Sequence, residues 1–189
     1  MSVTTAKFTL EQYERMVELG AFDHPYEMRV ELLNGEIVEM PPVGSEHAYV
    51  VTLLTRWSYH VADVRRVLIS SQNPIAFAVS DSAPEPDIIW ATNKNYAKRH
   101  PTPSDVLLLI EVAKSSLEAD RGDKLRAYAE AGIGDYWLVN LVDRQVEVYR
   151  DPHGHGYRSS AVHAVGDPGP APLAAPGAEL DVASLFEAT

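Results

Sequence analysis

The stretch Val106-Leu107-Leu108-Leu109-Ile110-Glu111-Val112-Ala113 contains seven apolar residues and one carboxylate. A dense apolar run of this length is typical of a central strand that is buried on both faces. Glu111 does not fit that pattern, because an ionised carboxylate is costly to bury without a partner. It either points to water or pairs with an arginine at the end of the strand, or it belongs to a site.

The segments around this strand alternate between helical and extended patterns. Upstream they predict a helix over 10–19, a hairpin over 29–40 with Asn34-Gly35 at its turn, a helix capped by Ser45, and strands over 67–70, 75–79 and 87–91. Downstream they predict a helix from Ser116 or Asp120 to Gly132, a hairpin from 136–141 and 145–150, an irregular segment over 166–177 and a short helix over 180–186. We find no repeat or boundary, so one domain over 1–189 is expected.

Composition narrows the class of protein. The 189 residues are 46% hydrophobic, which suits a domain with a buried core. They contain no run of eighteen apolar residues, so no membrane span is expected. The absence of cysteine and of an apolar leader fits a cytoplasmic location. The net charge of −11 counts against a nucleic-acid binder, although a local basic strip or a site that recruits cations is compatible with it.

Two acidic residues are the main candidates for a metal site. Without cysteine, a metal must be held by Asp, Glu, His or backbone oxygens, which favours Mg²⁺ or Mn²⁺. Asp87 opens the predicted strand 87–91, and Glu111 lies near the end of the next one. If these strands are antiparallel neighbours, both carboxylates converge at one edge of the sheet. Taken alone, Asp87 is also explained as a turn residue after Pro86.

Three further residues are weaker candidates. Lys124 lies on the first turns of the helix that follows the central strand and could point at the carboxylates, although most lysines are simply exposed. Glu31 could face either side of the first hairpin. His47 follows a helix N-cap, which favours neutral imidazole, but it is also explained as a surface histidine. We interpret His153-Gly154-His155 as a turn rather than a metal tract.

Several segments match a known family in their order and spacing. They include Pro84-Glu85-Pro86-Asp87-Ile88-Ile89, Leu109-Ile110-Glu111-Val112 and the ranges 31–36, 42–47, 72–75, 123–128, 131–139 and 180–186. The chain resembles the Uma-two family of putative restriction endonucleases, a bacterial branch of the PD-(D/E)XK nuclease superfamily. The resemblance implies an α/β restriction-endonuclease-like core, with a mixed β-sheet flanked by α-helices and added N-terminal and C-terminal hairpins.

The resemblance also implies an activity. It makes Asp87 and Glu111 the acids that hold Mg²⁺ or Mn²⁺ in a metal-dependent endonuclease, with DNA as the substrate and a homodimer as the expected assembly. The usual strand lysine would stand at 113, where this chain has Ala113. Lys114 should face the other side of the strand.

A helix lysine takes that place in the family, and Lys124 matches its position. Which of Lys124 and Lys114 acts is left open, and we hypothesise that Lys124→Ala abolishes cleavage without loss of the fold. Glu31 and His47 match family positions near the site. The alternative is a non-catalytic binding or regulatory protein on the same fold.

Overall fold

The computed structural model describes residues 6–23 and 28–187. In chain order its main elements are α1 (Leu10–Glu18), β1 (Val30–Leu33), β2 (Glu36–Glu39), α2 (Ser45–Val61), β3 (Val67–Ser70), β4 (Ile88–Thr92), β5 (Val106–Ala113), α3 (Leu117–Ala119), α4 (Leu125–Glu130), β6 (Asp135–Asn140), β7 (Gln145–His153) and β8 (Gly156–Ala164). Short 3-10 helices cover Pro103–Asp105 and Ala183–Leu185, and a π-helical turn, Asp120–Lys124, joins α3 to α4.

The six strands β3 to β8 form one mixed sheet in sequence order. The β5–β6 pair is parallel, and the other four pairs are antiparallel. A parallel pair needs a crossover connection, which the helical segment 117–130 provides. The mixed sheet flanked by helices confirms the predicted fold class.

The N-terminal hairpin is a separate two-stranded sheet of β1 and β2. Its turn lies where the Asn-Gly pair predicts it, with positive φ at Asn34 (50°) and Gly35 (79°). The hairpin is attached to the rest of the fold by a bridge between Leu32 and Ala83 and by a hydrogen bond from the Gly35 amide to the Asp81 carbonyl.

Side chains alternate between two buried clusters along the central strand. Leu108, Ile110 and Val112 pack with α2 and with the C-terminal segment. Leu109 and Ala113 face the other way and pack with α4 and β6. Both faces of β5 are therefore covered, as the sequence predicts. Because side chains alternate along a strand, Glu111 points toward the face that carries α4.

Some local predictions were wrong. Residues 75–79 are not a strand: Ile75 and Phe77 are buried, but Phe77 forms only an isolated bridge to Ser82. Residue Gly44, not Ser45, is the N-cap of α2. The predicted helix over 180–186 is reduced to the 3-10 turn at 183–185, and the bounds of β8, the strand after the turn at 153–155, were not predicted. No helix in the described part of the chain is long and apolar enough to span a membrane.

Candidate active site

Asp87 and Glu111 lie next to each other at one edge of the sheet. The antiparallel register of β4 and β5 pairs Ile88 with Ile110. The preceding residue of one strand, Asp87, therefore lies opposite the following residue of the other, Glu111. The Asp87 amide donates to Glu111 Oε2 at 3.2 Å, and the Val112 amide donates to Asp87 Oδ2 at 2.8 Å. The predicted juxtaposition of the two carboxylates is thereby confirmed.

Lys124 brings a buried positive charge to these acids. Its Nζ atom lies 3.0 Å from Glu111 Oε1, 3.2 Å from Glu31 Oε1 and 3.9 Å from Asp120 Oδ1. Burial alone would lower the pKa of Lys124, but the surrounding carboxylates outweigh it and raise that pKa above its usual value. The lysine therefore stays protonated at neutral pH.

Glu111 experiences opposing influences. Burial raises the pKa of Glu111, Lys124 lowers it, and the nearby carboxylates raise it further. Its three hydrogen bonds are all accepted, from Lys124, from the Asp87 amide and from Tyr128 Oη at 2.6 Å. Burial and the neighbouring carboxylates outweigh Lys124 and raise the pKa of Glu111 above its usual value, so positive charge at the site is needed to keep it ionised.

The site contains residues that the sequence did not single out for it. Asp120 is buried beside Lys124, and burial raises its pKa. Tyr128 is fully buried and donates to Glu111. A signal was present, because Asp120, Lys124 and Tyr128 recur every four residues and so share one face of a helix.

Glu31 joins the N-terminal hairpin to the site. Its side chain is buried, and its Oε2 atom accepts from the Glu85 amide at 3.1 Å while Oε1 contacts Lys124. Burial also raises the pKa of the Glu85 side chain. Of the two faces available to it in the hairpin, Glu31 thus uses the one that faces the acids.

His47 contacts Asp87 from the first turn of α2. Its Nε2 atom is 3.0 Å from Asp87 Oδ2, while its buried Nδ1 atom has no hydrogen-bond partner within the described residues. The hydrogen bond to Asp87 raises the pKa of His47 and outweighs burial, which lowers it. The bias toward neutral imidazole that the helix N-terminus predicts is therefore reversed by Asp87.

Lys114 pairs outside this cluster, and Ala113 has no side chain that could serve in it. The side chain of Lys114 pairs with Glu46 on α2 at 2.6 Å and is mostly exposed. Ala113 is buried among apolar residues, and its carbonyl accepts from the Leu141 amide. Lys114 thus faces the other side of β5, as strand alternation predicts, and Lys124 is the lysine that lies among the acids.

The turn predicted at His153–His155 lies at Gly154 and His155, between β7 and β8. The side chain of His155 pairs with Glu130, and His153 contacts Arg158. Within the residues described, neither histidine belongs to a group of three side chains that could hold a metal ion.

Comparison with known proteins supplies the family. The sequence matches the Uma2 family, described as "Putative restriction endonuclease", over residues 10–183. The chain belongs to the Uma2 family. A crystal structure of a putative nuclease of Anabaena variabilis, assigned to DUF820, has a similar fold. That likeness has a TM-score of 0.75 at 18% identity, and it covers 95% of this chain and 98% of the other. No curated protein matches the sequence.

The Uma2 site opens into a cavity of about 770 Å³. Seven of the residues lining it are acidic and three are lysine or arginine, so its formal charge is strongly negative. They are Glu31, Glu39, Glu46, Glu85, Asp87, Glu111 and Asp120, with Arg29, Lys114 and Lys124. Phosphate is repelled by such a cavity unless cations reduce the charge.

The carboxylates of this Uma2 protein suit a hard divalent cation. Restriction-endonuclease-like nucleases typically use divalent metals. Asp87 and Glu111 offer carboxylate oxygens at one edge, which are the donors that Mg²⁺ and Mn²⁺ prefer. Across the described ranges, 6–23 and 28–187, no three acids or histidines are already arranged as a metal cage. The donor chemistry fits, whereas the side chains would have to adjust around an ion.

The π-helical turn that carries Lys124 is anchored to the sheet by an ion pair. Arg121 Nε donates to Glu147 Oε2 at 3.0 Å, and a second guanidinium nitrogen contacts Glu147 Oε1. Burial would raise the pKa of Glu147, but hydrogen bonds from Arg121, Tyr149 and Asn140 lower it to about 2. This pair fixes the turn three residues before Lys124.

Replacing Glu147 with glutamine is expected to destabilise the protein by roughly 1–3 kcal/mol at pH 7, because Arg121 loses a charged partner. Because the pKa of Glu147 is lowered in the folded protein, this stabilisation is fully present above the pKa of glutamate in the unfolded chain, about 4.3. It is lost as pH falls through the folded pKa of about 2. Urea unfolding at several pH values measures it. An equal difference between wild type and variant at pH 7 and pH 2 would contradict this assignment.

Proposed function

We propose that this Uma2 protein is a metal-dependent endonuclease that hydrolyses phosphodiester bonds of DNA. The observation that carries the proposal is the contact between Lys124 and Glu111, with Asp87 directly across the strand pair from Glu111. Two acids and a protonated lysine at the floor of one cavity suit the hydrolysis of a phosphate ester. Membership of a family described as restriction endonucleases supports the same reaction class.

Asp87 and Glu111 would hold the cation, with Mg²⁺ or Mn²⁺ as the ions that these oxygen donors favour. Bound there, such an ion lowers the pKa of a coordinated water and offsets the charge of the phosphate. Within the described residues every hydrogen bond to the Asp87 carboxylate goes to Oδ2, which leaves Oδ1 available as a ligand.

Lys124 supplies electrostatic stabilisation rather than a base. Because its carboxylate partners keep it protonated, it cannot accept a proton from water near neutral pH. Its ammonium instead donates hydrogen bonds toward the phosphate oxygens or orients the attacking water. Glu31, held by the Glu85 amide, positions this ammonium next to Glu111.

His47 and Tyr128 position the two acids. His47 contacts the Oδ2 atom of Asp87 that also receives the Val112 amide, so Asp87 is held from two elements. Tyr128 donates to the Oε1 atom of Glu111 that Lys124 also contacts. The acids are thus oriented by protein groups.

We also propose DNA as the substrate, a cytoplasmic location and a homodimer. The family description supports DNA, and the lack of cysteine supports a reducing compartment. A dimer is the simplest way to place two sites on two strands of a duplex.

The proposal is tested by incubating the protein with plasmid DNA, single-stranded DNA and RNA in Mg²⁺ or Mn²⁺, with Asp87→Ala as the matched control. We expect metal-dependent cleavage of DNA by the wild type alone. Cleavage that survives in Asp87→Ala would indicate a contaminating nuclease. Cation binding without cleavage of any substrate would favour the non-catalytic binding or regulatory protein.

Lys114→Ala is expected to leave cleavage within about threefold of wild type, because this side chain lines the cavity but pairs with Glu46 instead of with Asp87 or Glu111. Initial cleavage rates under saturating Mn²⁺ measure this. A loss as large as that of an Asp87 variant would transfer the role of the active lysine from Lys124 to Lys114.

A further inference from the structure

Positive charge is concentrated in two segments of this acidic chain. Residues 47–66 and 93–105 contain six of the 16 lysines and arginines but only two of the 27 acidic residues. These segments therefore carry a formal charge of +4, and the remaining residues carry −15. Segregation of this size creates a local positive potential on a protein whose net charge is −11.

The two segments meet at the end of the sheet remote from the acids. The Asn93 amide donates to the Arg66 carbonyl at 2.8 Å, and the Asn93 side chain donates to the Val64 carbonyl at 3.0 Å. Lys94 and Arg99 both pair with the buried Asp105, yet their side chains remain 51% and 48% exposed. One carboxylate is shared by two cations, so a positive excess stays at the surface.

The outer face of α2 connects this basic end to the cavity. The helix begins at the cavity, which Ser45 and His47 line. Along its solvent face lie Tyr49, Arg56 and Tyr59, at helical spacing, and both tyrosines are well exposed (44% and 57%). The sequence has no carboxylate between Glu46 and Asp63.

We propose that this face binds the phosphodiester backbone of the nucleic acid on which the cavity acts. We define it by Tyr49, Arg56, Tyr59 and Arg66 and call it the basic track. The inference rests on the proposed nuclease function and adds the surface that holds the substrate. Arginine and lysine neutralise phosphates, and exposed tyrosine rings offer stacking surfaces for unpaired bases.

The length of the track suits this partner. A helix of 17 residues, such as α2, is about 25 Å long, which corresponds to about seven base pairs of duplex DNA. The track also addresses the charge of the cavity. A substrate anchored along α2 is held by cations of the protein, while the negative cavity needs only to receive the single phosphate that reacts.

The test measures binding rather than cleavage, so that its failure is distinguishable from failure of the proposed function. The full chain with Asp87→Ala is titrated with a fluorescent 30-nucleotide single strand and with a 30-base-pair duplex at several salt concentrations. The track variant adds Arg56→Glu and Arg66→Glu. The control adds Arg15→Glu and Arg158→Glu, two exposed arginines outside the track that give the same net charge.

We expect the track variant to raise Kd at least about tenfold and to lower the salt slope by about 1.5–2, as the loss of two phosphate contacts requires. The control should change Kd by less than about threefold, because its charges lie far from the bound backbone. A Tyr49→Ala, Tyr59→Ala variant distinguishes the two forms of the partner. If this variant loses more affinity for the single strand than for the duplex, the tyrosines stack on unpaired bases. If it loses equal affinity for both, the track binds duplex DNA.

Two results would overturn the proposal. The first is an equal effect of the track and control variants, which would reduce the observation to net charge alone. The second is salt-dependent self-association that the track variant abolishes while nucleic-acid binding is unchanged. That result would make the face an interface with the acidic surface of a second copy.

Discussion

Cleavage by Lys124→Met is expected to fall by about 10²- to 10³-fold or more, because the variant loses the ammonium that contacts both Glu111 and Glu31. The matched control is Lys114→Met, which removes an exposed lysine that pairs with Glu46 instead of with Asp87 or Glu111. Single-turnover rates in Mn²⁺ measure the effect. A folded Lys124→Met protein that cuts at the wild-type rate would contradict it.

Lys124→Met should also lower the free energy of unfolding. The sequence alone had led us to expect that replacing Lys124 would leave the fold intact. Removing one partner of a buried ion pair typically costs roughly 3–5 kcal/mol, and here Glu31, Glu111 and Asp120 all lose their ammonium. The wild-type contribution is fully present below the unfolded pKa of lysine, about 10.4, and is lost only as pH rises through the raised folded value.

The pH dependence separates this loss from a general packing defect. Burial raises the pKa values of Glu111 and Asp120, so without Lys124 these carboxyls take up protons more readily as pH falls. The variant should therefore recover part of its deficit between pH 7.5 and pH 5. Urea unfolding at both pH values measures this, and a deficit that is the same at both would indicate lost packing instead.

Asp87→Asn is expected to abolish stabilisation by Mg²⁺ together with cleavage. The amide oxygen of asparagine can still accept from the Val112 amide, so the local backbone contact survives while the charged ligand is lost. At a Mg²⁺ concentration one hundred times Kd, the wild type should gain about 2.7 kcal/mol, or about 5–10 °C in Tm. The variant should gain almost nothing.

Thermal unfolding with and without Mg²⁺ checks this prediction. Asp151→Asn is the control, because Asp151 is an exposed carboxylate at the far hairpin and its loss should leave the shift intact. Equal Mg²⁺ shifts in wild type and Asp87→Asn would place the ion elsewhere. A shift in the wild type without any cleavage would separate metal binding from catalysis.

The sequence predicted the parts of the fold that local chemistry determines. The Asn34-Gly35 turn was predictable because few residues adopt positive φ at both positions. The central strand was predictable because an apolar run of that length must be covered on both faces. The pairing of Asp87 with Glu111 followed from one assumption, that β4 and β5 are antiparallel neighbours, and the register confirms it.

Other features depend on contacts that a sequence pattern does not specify. Ile75 and Phe77 alternate like strand residues, but they are anchored by burial, and the chain around them makes no ladder. The inward face of Glu31 depends on how the hairpin docks, through Leu32 and Ala83. The ionisation of His47 depends on Asp87, forty residues away, which outweighs the local helix terminus.

The position of the lysine has a consequence for how such a site can change. Asp87 and Glu111 belong to the rigid central sheet, whereas Lys124 belongs to a helical crossover held by Arg121 and Glu147. The two acids and the ammonium are therefore carried by different elements of the fold. Substitutions under the crossover are expected to move Lys124 and lower any turnover, while the sheet still holds Asp87 and Glu111 side by side.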